Sequence, residues 1–165
     1  MERIELAEKH LKEIQAEATE ILKQHMDLVK TYMSLTGIGP MNSLALLAHL
    51  GNFERFSKAK QVSNFVGLTP RVDQSGDKTT LGRISKRGCK QVRRVIVQGA
   101  WATVRSAKGG RLKEKFLRIA ARSGTRMAII TIAREMMELL FYMVELYREV
   151  TQTQLQRKLK IYGLI

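Results

Sequence analysis

Two glycines, one residue apart, interrupt an otherwise helical pattern in the segment Leu-Thr-Gly-Ile-Gly-Pro at residues 35–40. Gly37 and Gly39 lie between the apolar end of one helical segment and a second apolar segment at residues 44–50. Glycine adopts positive φ without steric cost, and phosphate can approach the N–H groups that begin the second helix. The pattern predicts a helix-hairpin-helix over residues 33–50 that grips a nucleic-acid backbone. A tight helix–helix connection without a ligand explains the same pattern.

The charge of the chain favours a polyanionic partner. Lys and Arg number 29 against 15 Asp and Glu among 165 residues, a net charge of +14. Residues 1–30 hold seven acidic and five basic residues, a net charge of −2, whereas residues 55–122 hold 18 basic and three acidic residues. Each neutralised phosphate releases counterions, so this basic middle segment predicts a nucleic-acid surface. A structural RNA-binding protein shows the same bias, so charge alone indicates only the class of partner.

Several kinds of site and location are disfavoured by the residue types. Cys89 is the only cysteine, which excludes an intramolecular disulfide and a zinc finger. The three histidines are far apart in sequence, so we expect no metal ligands in this chain. Charged residues interrupt the apolar segment at 127–147, which argues against a membrane span.

The first thirty residues contain no Gly or Pro and carry a regular apolar seam. Its two heptad positions are occupied by Ile4, Leu11, Ala18 and His25, and by Ala7, Ile14, Ile21 and Leu28. Such a seam on a charged helix is typical of a coiled coil. We therefore expect residues 1–31 to form a connector helix that assembles the chain into a homodimer or higher oligomer. The alternative is a long helix lying on its own domain.

The remaining sequence predicts one compact all-α domain over residues 32–150, followed by a peripheral tail at 151–165. Helical periodicity is clear at about 58–65, 90–106, 112–122 and 126–147. Residues 67–88 break it with four glycines and Pro70, so they predict a long polar loop or a small β-hairpin. Polar loops of this length inside compact domains are usually functional.

Four motifs carry a resemblance to a known family. They are Leu-Thr-Gly-Ile-Gly-Pro at 35–40, Leu-Leu-Ala-His-Leu-Gly-Asn-Phe-Glu-Arg-Phe at 46–56, Gly-Leu-Thr-Pro at 67–70 with Gln-Ser-Gly at 74–76, and Gly-Arg-Ile-Ser-Lys-Arg-Gly at 82–88. In this order they resemble the C-terminal domain of the 110/116/902 insertion-sequence transposases, some of which are bridge-RNA-guided serine recombinases. The resemblance extends from about Tyr32 to Tyr147.

The resemblance implies a function in DNA transposition and recombination. It implies a composite active site, in which a RuvC-like N-terminal domain holds divalent metal (Mg) and the C-terminal domain supplies a serine that attacks a DNA phosphodiester. That serine corresponds to Ser75. No residue of this sequence corresponds to the metal-binding acids. The implied partners are DNA and, as in several family members, a bridging guide RNA, and the implied location is the prokaryotic cytoplasm at the nucleoid.

Ser75 needs cations that stabilise the attacked phosphoryl group and a group that removes its proton. Lys78, Arg83, Lys86 and Arg87, which follow Ser75 in the sequence, can supply this positive charge. The predicted DNA-binding set is Gly37, Gly39, Lys78, Arg83, Lys86, Arg87, Arg93 and Arg94. An ordinary turn serine and solvated loop charges explain the same residues, and Ser85 is the rival nucleophile.

Two other functions fit parts of the sequence. A non-catalytic DNA-binding module, or a remnant of a truncated transposase, fits the absence of the metal-binding acids. A helix-hairpin-helix DNA glycosylase fits the turn, but such enzymes need aromatic residues around a flipped base. Aromatic residues are 6% of this chain and do not cluster in sequence.

Overall fold

The computed structural model describes the backbone of residues 2–75 and 78–161. Within these ranges it describes all side chains except those of residues 2, 72–83 and 155–161. In chain order the elements are α1 (Glu2–Gln24), α2 (Met26–Met33), α3 (Pro40–Leu50), α4 (Ala59–Val66), β1 (Pro70–Ser75), β2 (Lys78–Ile84), α5 (Lys90–Arg105), a 3₁₀ turn (Ala107–Gly109), α6 (Gly110–Ser123) and α7 (Thr125–Ile161). The prediction of an all-α compact domain is confirmed, with one β-hairpin inserted between α4 and α5.

Helix α7 is the centre of the domain, and α2, α4, α5 and α6 pack against it. Ile132, Met136, Leu140 and Val144 repeat every fourth residue, which places them on one helical face, and all four are fully buried. Residues such as Tyr32 on α2, Val62 on α4 and Ile96 on α5 complete this core. Met136 and Met137 are fully buried, where their flexible thioether side chains fill gaps in the core.

The predicted connector helix is broken at His25. His25 leaves the helical region at φ −116° and ψ 29°, so α1 and α2 are separate helices. The break lets α2 bury Leu28, Val29 and Tyr32 in the domain while α1 takes its own direction. The seam positions Ile4, Leu11, Ile14 and Ile21 on α1 are exposed, whereas Ala18 is buried. Most of α1 therefore does not lie on its own domain.

Helix α7 extends well beyond the predicted end near Tyr147. It continues as one helix to Ile161, through most of the segment predicted as a peripheral tail. Residues 148–161 contain neither Gly nor Pro, so the local sequence holds no stop signal for the helix.

Candidate functional site

The turn at residues 34–39 joins α2 to α3 and packs closely against α5. Gly37 has φ +94°, as the glycine pattern predicted. A Cβ at this position would overlap the carbonyl oxygen of Gly99 and the hydroxyl of Thr103. The hydroxyl of buried Thr103 has two acceptors within hydrogen-bond distance, the carbonyl oxygen of Thr36 at 2.5 Å and that of Gly99 at 2.9 Å. Gly37 is therefore required for packing on α5, because a side chain at this position would overlap that helix.

Gly39 differs from Gly37 in conformation and surroundings. It precedes α3 with φ −100° and ψ 180°, an extended conformation, so the expectation of positive φ at Gly39 is wrong. A Cβ on Gly39 would meet no atom within 4 Å. Its carbonyl oxygen accepts hydrogen bonds from the backbone N–H and the hydroxyl of Ser43, at 2.9 and 3.0 Å. Of the two glycines, only Gly39 leaves space for a ligand at the start of α3.

Residues 70–84 form an antiparallel hairpin, so the second of the two predicted alternatives is the observed one. Pro70 pairs with Ile84 at one end and Ser75 with Lys78 at the other, with an irregularity after Pro70. Residues 76 and 77, which join the strands, lie outside the described residues. In the described part of the chain the two strands pack on each other and on no helix. Ser75 therefore stands at the far end of a projecting arm.

The base of the hairpin is held to the end of α4 by backbone groups. Gly67 ends α4 in the left-handed conformation at φ +73°. The carbonyls of residues 65–67 and 69 then accept four hydrogen bonds. Backbone N–H groups donate three of them, Ser85 to Thr69 (2.8 Å), Lys86 to Gly67 (3.2 Å) and Cys89 to Phe65 (2.9 Å). The guanidinium Nη1 of Arg93 donates the fourth, to Val66 (2.7 Å). These bonds join two of the motifs, 67–70 and 82–88, into one structural unit.

The strand register separates most of the predicted cations from Ser75. Lys78 is opposite Ser75, whereas Arg83 lies five residues further along β2, roughly 17 Å away at the usual rise per residue. Lys86 and Arg87 follow β2 at the base and are exposed. The side chains of Ser75, Lys78 and Arg83 lie outside the described residues. The backbone thus brings only Lys78 next to Ser75, and the expected group of four cations around the serine is not formed by this hairpin.

Ser85, the rival nucleophile, lies at the hairpin base and is half-buried. Its backbone N–H donates to Thr69. This position places it about a strand's length from Ser75, so the two serines cannot serve the same phosphate.

The remaining predicted arginines have different environments. Arg93 is half-buried and bonded to Val66, so it supports the hairpin base, while its neighbour Arg94 is exposed. Exposed cations also surround the base, and together they form what we call the basal patch: Arg71, Lys86, Arg87, Lys90 and Arg94.

The glycine turn and the end of α4, from which the hairpin leaves, contact different parts of α5. The turn packs at Gly99 and Thr103, whereas Val66 at the end of α4 is bonded to Arg93. These positions are six to ten residues apart, roughly 9 to 15 Å along the helix axis. The turn glycines and the hairpin cations, which the sequence analysis grouped as one DNA-binding set, therefore lie on two separate surfaces. Gly99 in mid-helix was the available signal for the close approach of another backbone, because glycine is unfavourable there.

Within the described ranges, no three His, Cys, Asp or Glu side chains come together as a metal-binding group. The described residues therefore do not provide the acidic metal ligands that the resemblance implies for a RuvC-like domain. The side chains of Asp73 and Asp77, the two acidic residues beside Ser75 in the sequence, lie outside the described residues.

Comparison with known proteins identifies the family. Residues 29–117 match the family described as Transposase IS116/IS110/IS902, which is more than half of the chain. The chain belongs to this family. The matched segment includes the glycine turn, the hairpin, α5 and the start of α6, so the elements described above are those shared with the family.

Transposases of insertion sequences are among the similar proteins. The transposase of IS1111A from Coxiella burnetii is 34% identical over 105 residues, which cover 62% of this chain and 29% of the relative. A probable family 20 transposase from Pseudomonas aeruginosa is 35% identical over 77 residues, 47% of this chain and 23% of the relative. The IS1328 transposase of Yersinia enterocolitica is 34% identical over 82 residues, which cover 48% of this chain and 25% of the relative. The matches thus span less than a third of these IS110-family relatives.

None of the helices in the described residues is long and apolar enough to cross a membrane.

Proposed function

We propose that this chain is the DNA-binding, nucleophile-bearing part of an IS110-family transposase, with Ser75 as the nucleophile. The observation that carries the proposal is the projecting hairpin, which puts Ser75 at its far end. A nucleophile at such a tip reaches a DNA strand without burying the helical domain in a groove. Membership of a transposase family and the Gln-Ser-Gly motif support the same assignment.

The reaction is an exchange of phosphodiester bonds. The Ser75 oxygen attacks a DNA phosphorus, the serine proton passes to a base, and the bond to a deoxyribose oxygen breaks to leave a hydroxyl end. The resulting phosphoserine ester conserves the energy of the phosphodiester for rejoining. Lys78, which pairs with Ser75 across the hairpin, is the cation of this chain that we assign to the reacting phosphate. A RuvC-like domain would supply divalent metal and further charge, as the family resemblance implies.

The basal patch serves a different step, which is holding the DNA backbone. Its five cations are exposed and lie where the hairpin leaves the domain. Arginine and lysine contacts to phosphate fix the position of a protein on DNA without reading sequence. The open N-terminus of α3 at Gly39 adds backbone N–H groups on the second surface.

Trapping of the covalent intermediate tests the assignment of Ser75. The chain is incubated with a nicked suicide substrate, with and without a separately supplied RuvC-like half, and the modified peptide is located by mass spectrometry. We expect an adduct on Ser75 that Ser75→Ala abolishes while DNA affinity stays within about twofold, because a hydroxyl contributes little to a phosphate-dominated interface. Ser85→Ala is the matched control and retains the adduct.

An adduct on another residue, or strand transfer by the Ser75→Ala protein, overturns the assignment. DNA binding without any adduct in both conditions favours the alternative of a non-catalytic DNA-binding module. A bridging guide RNA is a further proposed partner, tested by co-purification with RNA transcribed from the ends of the element.

A further inference from the structure

Helix α6 presents a row of basic side chains outside the basal patch. Arg111, Lys115, Arg118 and Arg122 lie within about 60° of arc on the helical wheel, at 3.6 residues per turn. From Arg111 to Arg122 the row is about 16 Å long, with successive cations about 4.5 to 6 Å apart along the axis. The adjoining side of α6 buries Leu112 and Phe116. The row is therefore fixed to the solvent side of the helix.

Other cations of the basic middle segment are occupied by the fold. The guanidinium of Arg55 donates to the His49 carbonyl at 2.6 Å and lies over the ring of Phe65 at 4.2 Å. Lys113 Nζ donates to the Ser106 carbonyl at 3.2 Å, and Lys115 Nζ pairs with Glu135 on α7 at 2.7 Å. Arg111, Arg118 and Arg122 are exposed and, among the described side chains, have no ion-pair partner.

Two of these arginines flank a surface recess. Arg111 and Arg118 line it together with Glu114 and Lys115, and its volume is about 370 Å³. A recess of this size is large enough for a phosphate group, and the planar forks of guanidiniums match phosphate oxygens. The Lys115–Glu135 ion pair holds the floor of the recess to α7. Glu114 is the one acidic residue of α6 and opposes an anion there.

We propose that the arginine row of α6, Arg111, Arg118 and Arg122, is a further binding surface for the backbone of duplex DNA. Along the helix axis Arg111 and Arg118 are about 10 Å apart and Arg118 and Arg122 about 6 Å, so the three guanidiniums can reach separate phosphates. The aromatic residues beneath the row, Trp101 and Phe116, pack on each other at 5.8 Å and so form no platform for stacked single-stranded bases. The inference rests on the proposed DNA partner, but it assigns a surface that the hairpin does not reach.

The surface is separate from the hairpin in the fold. In the described part of the chain α6 packs on α5, α7 and the 3₁₀ turn, and on neither α4 nor the hairpin strands. Its first residue follows the carboxyl end of α5, whereas the basal patch is at the amino end of that 16-residue helix. A chain with both surfaces holds two backbone segments at once.

Salt-dependent affinity for duplex DNA tests the proposal with matched charge variants of the full chain. Variant one is Arg111→Gln, Arg118→Gln and Arg122→Gln. The control, Lys9→Gln, Lys12→Gln and Lys30→Gln, removes the same charge from exposed sites outside residues 55–122. Glutamine keeps helix propensity, and thermal melts verify folding. We expect the slope of log K against log salt to fall by about 2.7 for the α6 variant, 0.9 per lost contact, and by less than about 1 for the control.

Two further arms sharpen the result. Glu114→Gln should tighten duplex DNA binding severalfold, because it removes the carboxylate from the recess. Binding of the α6 variant is also measured with an RNA duplex and with a single-stranded oligonucleotide of the same sequence. If the α6 substitutions weaken binding only to one of these and not to duplex DNA, the proposal is overturned. Equal slopes for the α6 variant and the control also overturn it. If the unmodified chain binds no DNA, the proposed function fails as well; equal slopes with intact DNA binding reject the α6 surface alone.

Discussion

At the scale of single residues, the two glycines of the turn have different requirements. Gly37 combines positive φ with direct contact to the α5 backbone, whereas Gly39 is extended and faces open space. We expect Gly37→Ala to destabilise the fold by about 2 to 3 kcal/mol or more, because both backbone strain and overlap oppose a methyl group. Gly39→Ala should cost less than about 1 kcal/mol. Urea unfolding of the two proteins measures the difference.

The same pair of positions tests the role of the turn in binding. A Gly39→Val protein should fold normally but bind all duplex sequences more weakly, by about three- to tenfold, since its branched side chain occupies the open space before α3. Fluorescence anisotropy with several unrelated duplexes provides the measurement. Unchanged affinity would show that the start of α3 makes no phosphate contact.

Tyr32 links α2 to the end of α3 through a buried hydroxyl. The ring is fully buried, and its hydroxyl donates to the Gly51 carbonyl. Tyr32→Phe should lower stability by about 1 to 2 kcal/mol, because that carbonyl loses its partner. Burial also raises the pKa of Tyr32 above its ordinary value of 10.0.

The raised pKa makes the Tyr32 contribution dependent on pH. Above pH 10 the unfolded chain releases the Tyr32 proton while the folded chain retains it, so the contribution is complete below pH 10 and declines as pH rises. The advantage of the parent protein over Tyr32→Phe should shrink by up to about 1.4 kcal/mol per pH unit above 10. Parallel unfolding curves between pH 8 and pH 11 check the sign, and an advantage that grows in this range would contradict it.

At the scale of elements, α1 has an apolar seam that its own domain leaves uncovered. Ile4, Leu11, Ile14 and Ile21 are 44% to 66% exposed. We expect self-association through α1 at tens of micromolar, equivalent to about −6 to −7 kcal/mol. Light scattering should give a dimer or larger species for the parent and a monomer for Ile14→Lys. Glu13→Lys, one residue away and outside the seam, is the control and should remain associated.

The sequence predicted most of the helical elements but not where the first and last of them break or end. Helical periodicity marks which residues face a core, and the buried residues of α5 and α7 follow it. The break at His25 is set by tertiary packing of α2, which periodicity does not show. The hairpin was one of two predicted alternatives, because its glycines suit a loop equally well. The separation of Gly37 from Gly39 and of Arg83 from Ser75 depends on contacts and register that no local pattern encodes.

At the scale of the whole molecule, charge is divided between an acidic N-terminal segment, residues 1–30, and the basic remainder of the chain. The net charge of +14 arises from residues after 30, because residues 1–30 are net negative. We expect the intact chain to bind duplex DNA with a salt slope that corresponds to at least three phosphate contacts, and with weak sequence selectivity. Titrations from 50 to 300 mM salt check this. A shallower slope would contradict the assignment of residues 55–122 as a nucleic-acid face.

The hairpin base is joined to α4 by backbone N–H groups, and Arg93 of α5 bonds to the last residue of α4, while the side chains of Lys86 and Arg87 take no part in these bonds. Lys86 has φ +53°, a left-handed conformation that few residues other than glycine, asparagine and aspartate adopt readily, so its backbone restricts which residues fit there. Arg87 has no positive φ, so its side chain can be exchanged without changing the direction of the arm. The anchoring residues, by contrast, tolerate little change, since Gly67, Gly88 and Arg93 have no equivalent substitute. Under the proposed function, exchange at Arg87 changes how strongly the base of the arm holds a DNA backbone, while Ser75 keeps its position at the end of the arm.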